Sequence, residues 1–521
     1  MTNRKLIRST GIIGSAISCS RVLGFLRDIL FAKFFGTNIY AQAFVVAFRI
    51  PNMLRDMIGE GATDAAIVPV LTEYRHTRTK EEYWEAAGVI LNLMTAILVV
   101  VSVIGVVFAP AIVRIIAPGF IRDPQKFAIT VFLTRMVFPY VVFLGLLAYA
   151  KGVLNSFSYF TTPAFASVLL NLTIILVLVF LYPLIGIKSM VAGVLGGGLL
   201  QVLIQIPPMV KRGFRLGYGF RLMHPVAKRV GRLLVPRAMG TAVYQLSVLV
   251  DTVLASLAWI VGPGGVAALY YSNRLVQLPL AVFGIALATA ALPKMSKEVA
   301  KKDIEQLKKT VLFSLRIIFT VMVPAAVGLM VLSRPIVRIL FQRGEFSGYS
   351  TSITSGALFF YAIGLLAYAG IKIMVSTYYS MGDTRTPVKT AAVSLGVNVV
   401  LNLSLMWHLK ISGLALATSL AAVCNFVMLY VILGKRVGDI GTGELLRSFA
   451  RVGVSTVVMA VFIFFAAKRT LYAPGAGTAV SIMYLAGVIC GGIAVFFASG
   501  AVLGVEEVRR AGREIAGKFR G

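Results

Sequence analysis

Seven arginine, aspartate and glutamate residues crowd two adjacent apolar stretches. SRVLGFLRDILFAKFFG (20–36) carries Arg21, Arg27 and Asp28, and FRIPNMLRDMIGEGA (48–62) carries Arg49, Arg55, Asp56 and Glu60. A charge inside a bilayer is costly, so such residues mark a functional site by default. Arginine presents a planar fork that fits phosphate, and several in one low-dielectric cavity favour a diphosphate. On a helical wheel Arg21, Gly24 and Asp28 share a face. Arg49, Asn52, Asp56 and Glu60 share another, subject to the kink expected at Pro51. Arg274 and Gln277 repeat the spacing of Arg49 and Asn52. The plainer alternative is that Arg27–Asp28 and Arg55–Asp56 pair locally or extend their stems toward the interface.

A second constellation carries oxygen. Asp251 sits alone in one apolar segment, Asn398 and Asn402 stand at i, i+4 in another, and Thr418 lies in the next. Carboxylate, amide and hydroxyl oxygens suit a hard cation, so Na⁺ is one reading. Hydrogen bonding between helices is the other. Gly59, Glu60 and Gly61 read either as a gate or hinge with a deformable backbone or as a helix end. MGDTRTPV (381–388) reads as a polar turn.

The elements that must position these residues are membrane helices. The chain has 521 residues, of which 58% are hydrophobic and 14% charged, with a mean hydropathy of +0.87. That composition and the repeated apolar runs exclude a soluble domain. Fourteen spans are expected, near 10–35, 40–62, 86–110, 128–156, 161–183, 189–210, 233–260, 266–293, 310–332, 351–379, 386–408, 412–434, 447–467 and 478–503. The formal net charge of +31 lies mostly in short segments between spans. Its alternation places both termini in the cytoplasm, and it calls for no nucleic acid. The basic N-terminus runs into an apolar stretch that reads as a retained helix, not a signal peptide.

The chain also repeats itself. PAIVRIIAPGF (110–120) resembles RPIVRILFQRGEF (334–346), and GLLAYA occurs at 145–150 and at 364–369. Near the same offset of 220–225, Arg49 falls on Arg274, Gly59 on Gly284 and Glu73 on Glu298. The expected fold is therefore all-α, with two six-helix lobes, spans 1–6 (1–230) and 7–12 (231–440). A pseudo-twofold axis along the membrane normal relates them, and two extra helices follow (441–521). Such paired bundles are a transporter architecture. The chain holds no nucleotide loop, HExxH or GxSxG, and its three cysteines and three histidines are scattered. An enzyme is not expected.

SRVLGFLRD (20–28), FRIPNMLRDMIGEGA (48–62), AIVPVLTEY (66–74) and NRLVQLPLAVFGIALATAALPKMS (273–296) together resemble the MurJ/MviN family of the MOP exporter superfamily. The resemblance spans essentially the whole chain. It implies a fourteen-helix flippase of the bacterial cytoplasmic (inner) membrane. The cargo it implies is lipid II, the undecaprenyl-diphosphate-linked disaccharide-pentapeptide of peptidoglycan synthesis. Membrane lipids and cell-wall synthesis proteins are the further partners, and no cofactor beyond Na⁺ is implied. By motif match the family's cavity arginines fall on Arg21, Arg27, Arg55 and Arg274, and its acidic partners on Asp28 and Glu60. The last two helices would form a groove for the lipid tail. The chain departs from the family at Gln42, Asn273 and Asn402, where Asp is frequent, and at Asp56, where Arg is frequent. The rival reading is a related exporter for O-antigen-type lipid-linked oligosaccharide or small molecules.

Overall fold

The computed structural model describes residues 3–59, 62–214, 224–471 and 477–510. Every regular element among them is a helix. The chain divides into two compact units, Met1–Leu257 and Ala258–Gly521.

The first unit runs α1 (Asn3–Phe35), α2 (Ile39–Ala47), α3 (Arg49–Gly59), α4 (Ala62–Thr77), α5 (Lys80–Val107), α6 (Ala109–Ile116), α7 (Pro124–Val137), α8 (Tyr140–Ser156), α9 (Thr161–Ile185), α10 (Lys188–Leu203), α11 (Ile206–Val210) and α12 (Pro225–Ala255). Breaks between helices fall where side chains take over the orphaned backbone donors. Asn38 accepts from the amides of Tyr40 and Ala41, Thr79 forms a capping box with Glu82, and Asp123 accepts from Lys126. One core gathers Ile67, Leu71, Tyr83, Ile90, Tyr149 and Leu154 from α4, α5 and α8. The helix α12 packs on α3, α4 and α5 and so belongs to this unit, one helix beyond the lobe limit expected at 230.

The second unit runs α13 (Ala258–Val261), α14 (Gly265–Pro279), a π-helical turn (Leu280–Ile285), α15 (Ala286–Ala300), α16 (Ile304–Val331), α17 (Ser333–Phe341), α18 (Gly348–Ile363), α19 (Leu365–Ser380), α20 (Arg385–Val437), α21 (Thr442–Thr470) and α22 (Thr478–Val502). Tyr271, Phe341 and Phe346 form one aromatic nucleus, with centroids 5.4–5.7 Å apart. The 53-residue α20 is two helices in line, because Lys410 at φ 53° interrupts it. That break lies in the turn expected at 409–411. A 44° bend separates α18 from α19. A Cβ on Gly364 there would stand 2.9 Å from Ser419 Cα, so only glycine admits α20 this closely. The Ser419 hydroxyl donates to the Phe360 carbonyl at 2.8 Å, at the turn where the bend opens the helical ladder.

Nine helices among the described residues are long and apolar enough to cross a membrane, or ten with α18–α19 taken as one bent span. The expectation was fourteen. The expected spans 10–35, 40–62 and 233–260 coincide with α1, the α2–α3 pair and α12, and none of these counts among the nine. Side chains at 3–13 in α1 and 235–244 in α12 lie outside the described residues, and α2 and α3 are each shorter than a span. The merging of two expected spans into α20 removes one more.

Candidate functional site

Helix α1 brings Arg27 and Asp28 against α9. Arg27 donates from Nε (3.1 Å) and Nη2 (2.8 Å) to Asp28 Oδ1, and from Nη1 (3.0 Å) to Asn171 Oδ1. Asn171 in turn donates from Nδ2 to the Ser20 carbonyl (3.1 Å) and hydroxyl (3.3 Å). The guanidinium is thus held by two helices. Asp28 is only 3% exposed, and removing one partner of a buried ion pair is costly.

Helix α3 builds a second pair. Arg55 donates from Nε (3.3 Å) and Nη2 (3.1 Å) to Asp56 Oδ1, and Gln245 on α12 donates from Nε2 to Asp56 Oδ2 at 3.1 Å. The Arg55–Asp56 side chains are 31% and 28% exposed, against 15% and 5% for Arg27–Asp28. Both pairs are local, as the plainer sequence reading had it, yet each is tied by an amide from a distant helix. Arg49 stands half-buried one turn before Asn52, whose Oδ1 is buried without a hydrogen bond. Arg21 is half-buried on α1 and has no hydrogen bond or ion pair among the described residues. Gly59 closes α3, while Glu60 and Gly61 lie outside the described residues, so the gate or hinge reading falls there as well.

Sequence reasoning missed three residues here. Asn171 and Gln245 are single amides within long helices, and a lone amide in an apolar span is the signal that could have found them. Tyr140 is the third. Its phenol is fully buried with no hydrogen-bond partner, and its ring lies 5.8 Å from Phe48. A further polar contact joins α2 to α7. Lys126, 6% exposed, donates from Nζ to Gln42 Oε1 at 3.0 Å and lies 3.8 Å from the centre of the Phe120 ring. Gln42 is where the resembled family often has Asp, so a buried ammonium here meets a neutral acceptor.

In the second unit Arg274 on α14 stacks 5.0 Å over Tyr270, while Gln277 Nε2 donates to Asn273 Oδ1 at 2.5 Å. Helix α14 then ends at Pro279 and continues as the π turn, a feature concentrated at functional sites. Three of the four expected ion ligands come together. Asn402 Nδ2 donates to Asn398 Oδ1 (3.0 Å), Asn398 Nδ2 to Thr418 Oγ1 (3.3 Å), and Thr418 Oγ1 to the Leu414 carbonyl (2.9 Å). The donors run in an open line from Asn402 to the Leu414 carbonyl, as interhelical hydrogen bonding would have it, and Asn402 Oδ1 is buried without a hydrogen bond. Asp251, 7% exposed, belongs to α12 in the first unit. Among the described residues no three His, Cys, Asp or Glu cluster as metal ligands.

Outside the spans, two carboxylates are held below their ordinary range. Arg229 grips Glu73 with two bonds of 2.8 and 2.7 Å, and those bonds hold its carboxyl down. Burial pushes the Asp383 carboxyl up. Hydrogen bonds from the Thr386 hydroxyl and amide, from Arg436 and from the Arg385 amide outweigh it and hold it well down. The expected polar turn at 381–388 is therefore an ionic knot at the start of α20.

The sequence profile of the family described as "Lipid II flippase MurJ" matches residues 31–485. The chain is 35% identical over 443 residues to the lipid II flippase MurJ of Burkholderia cenocepacia, covering 83% of this chain and 84% of that one. Its fold is similar to a solved lipid II flippase MurJ in an inward closed conformation, with a TM-score of 0.79 at 24% identity over 94% of this chain and 98% of that one. It is also similar to an inward-facing multidrug resistance MATE transporter of the MOP superfamily, with a TM-score of 0.68 at 15% identity over 82% and 99%. The expected family is therefore found, and this chain belongs to the lipid II flippase MurJ family.

Proposed function

We propose that this multi-pass protein of the bacterial inner membrane is a transporter that carries lipid II from the cytoplasmic to the outer leaflet. The observation that carries this reading is the family match over residues 31–485. We further read the chain as fourteen spans in two six-helix lobes and a C-terminal pair, with both termini in the cytoplasm.

The diphosphate of the cargo is the anion for Arg21, Arg27, Arg49, Arg55 and Arg274. In the structure Arg27 and Arg55 are occupied by Asp28 and Asp56. Each carboxylate keeps its guanidinium oriented and charge-balanced while no phosphate is present. A diphosphate carries more charge and more acceptor oxygens than one carboxylate, so it displaces them. The change of partner makes the cargo bind one state of the transporter better than the other, which alternating access requires.

The test is depletion of the native flippase in cells that carry Arg27→Ala, Arg27→Lys or the parent chain at equal abundance. The parent restores growth and clears cytoplasmic-leaflet lipid II. Arg27→Ala does neither, and Arg27→Lys, which keeps charge but loses the fork, restores less than the parent. Normal growth on all three would overturn the assignment of the site.

A further inference from the structure

The second unit holds a polar cluster that the transport site does not use. Arg316 on α16 is 9% exposed and faces three carboxylates. It pairs with Glu444 from Nη1, with Glu506 at 2.9 Å from Nη2 and with Glu507 at 2.6 Å from Nε. Arg510 also reaches Glu506, at 3.7 Å. Glu506 is shared by two arginines, while Glu507 Oε2 is buried without a hydrogen bond. The hydrogen bond and field of Arg316 hold the Glu506 carboxyl below its ordinary range.

Around them the positive charge is in surplus. Five arginines (316, 447, 451, 509 and 510) meet three glutamates. Arg447 and Arg451, one turn apart on α21, line the same cavity of about 150 Å³, with the Ser448 side chain between them in sequence. Like charges at i, i+4 repel. Arg451 donates to the Gly504 carbonyl at 3.2 Å, and Arg447 has no partner among the described residues. Gly504, at φ +74°, makes the turn that ends α22. Arg509 is folded over that turn and donates to the Ala501 carbonyl at 2.9 Å. Beyond Arg451 along α21, Val454, Val458, Val461 and Phe465 continue as an exposed apolar row.

We propose that this cavity binds the phosphate of an anionic glycerophospholipid, with Arg447 and Arg451 as its ligands and the α21 row against its acyl chain. Charge and shape both favour this occupant. A phosphate relieves the repulsion between the two arginines and accepts from the fork of Arg447. The apolar row continues from the charged cavity along one helix, as in a lipid, and basic pockets between membrane helices recognise such headgroups. The site is distinct from Arg27 and Arg55, and its existence does not depend on the cargo proposed above.

The full chain, purified into nanodiscs of equal phosphatidylglycerol and phosphatidylcholine, is released and weighed by native mass spectrometry. The parent retains phosphatidylglycerol in preference to phosphatidylcholine, and R447Q/R451Q loses that preference by about tenfold. R447K/R451K keeps most of it, which separates lost charge from a lost fold. Arg469→Gln, at the opposite end of α21, leaves it unchanged. Equal retention by the parent and R447Q/R451Q overturns the proposal. So does displacement of the lipid by millimolar inorganic phosphate, which would make this a site for a soluble anion.

Discussion

α3 and its repeat counterpart begin alike and then diverge. Arg49 and Asn52 in the first unit match Arg274 and Gln277 in the second. One turn later, at the same offset, Arg55 and Asp56 give way to Leu280 and Ala281, and Leu54 to Pro279. The first copy keeps a helix with an ion pair. The second trades the pair for a proline and a π turn. Of the two similar stretches, one thus carries charge and the other a deformed backbone, while both keep the leading arginine.

Breaking the deeper ion pair should have the largest effect. Asp28→Ala takes the carboxylate from Arg27 in a buried setting, and removing one partner of such a pair costs about 3–5 kcal/mol. Asp56→Ala should cost about 1 kcal/mol, since Arg55 is better hydrated and a half-exposed pair contributes little. Thermal unfolding in one detergent compares the two directly. Equal losses would mean that burial does not separate the pairs. Asn171→Leu comes next. It strips one hydrogen bond from a charged donor, an interaction of about 1.5–3 kcal/mol, and frees Arg27 to swing. Transport should fall more than stability does, and Asn171→Asp, which keeps an acceptor, should recover part of it.

Much of this was legible in the sequence, for local reasons. The apolar periods, the repeat, the local Arg–Asp pairs and the break near Lys410 all depend on neighbouring residues. The family followed from motifs such as SRVLGFLRD and FRIPNMLRDMIGEGA. What was not legible depends on packing across long separations. Asn171 reaches Arg27 over 144 residues and Gln245 reaches Asp56 over 189. No periodicity selects those amides from others in apolar spans. The polar turn at 381–388 likewise became an ionic knot only because Arg436, 53 residues on, folds back to Asp383.

The second unit's amide network offers a milder test. If Asn398, Asn402 and Thr418 serve only each other, the chain melts at the same temperature in sodium and potassium, and Asn402→Leu lowers that temperature equally in both. An ion site involving Asp251 requires the opposite. Sodium would raise the melting temperature by mass action, and Asp251→Ala would erase the rise.

The smallest difference comes from the turn that follows each GLLAYA helix. At a common offset of 224, Tyr159 corresponds to Asp383, Thr162 to Thr386 and Arg212 to Arg436. The arginine is kept and its partner is changed. Arg212 lies 4.3 Å over the Tyr159 ring and donates to the Pro208 carbonyl at 2.7 Å. Arg436 donates to Asp383 at 2.5 Å and to the Thr386 hydroxyl at 2.8 Å. Arg212→Gln should cost about 0.5–1 kcal/mol, the scale of an exposed cation–π contact, with no dependence on acid. Arg436→Gln should cost about 1 kcal/mol at neutral pH, because an exposed charged pair is worth no more. That loss must carry a pH signature. The folded carboxyl of Asp383 lies below its unfolded value, so its stabilisation is complete above the ordinary carboxylate range. It disappears as pH falls through that range toward the folded value. Thermal unfolding from neutral to acid should therefore bring Arg436→Gln and parent together, while Arg212→Gln keeps its small offset throughout. Parallel curves for both variants would show that the carboxylate adds nothing the aromatic ring does not.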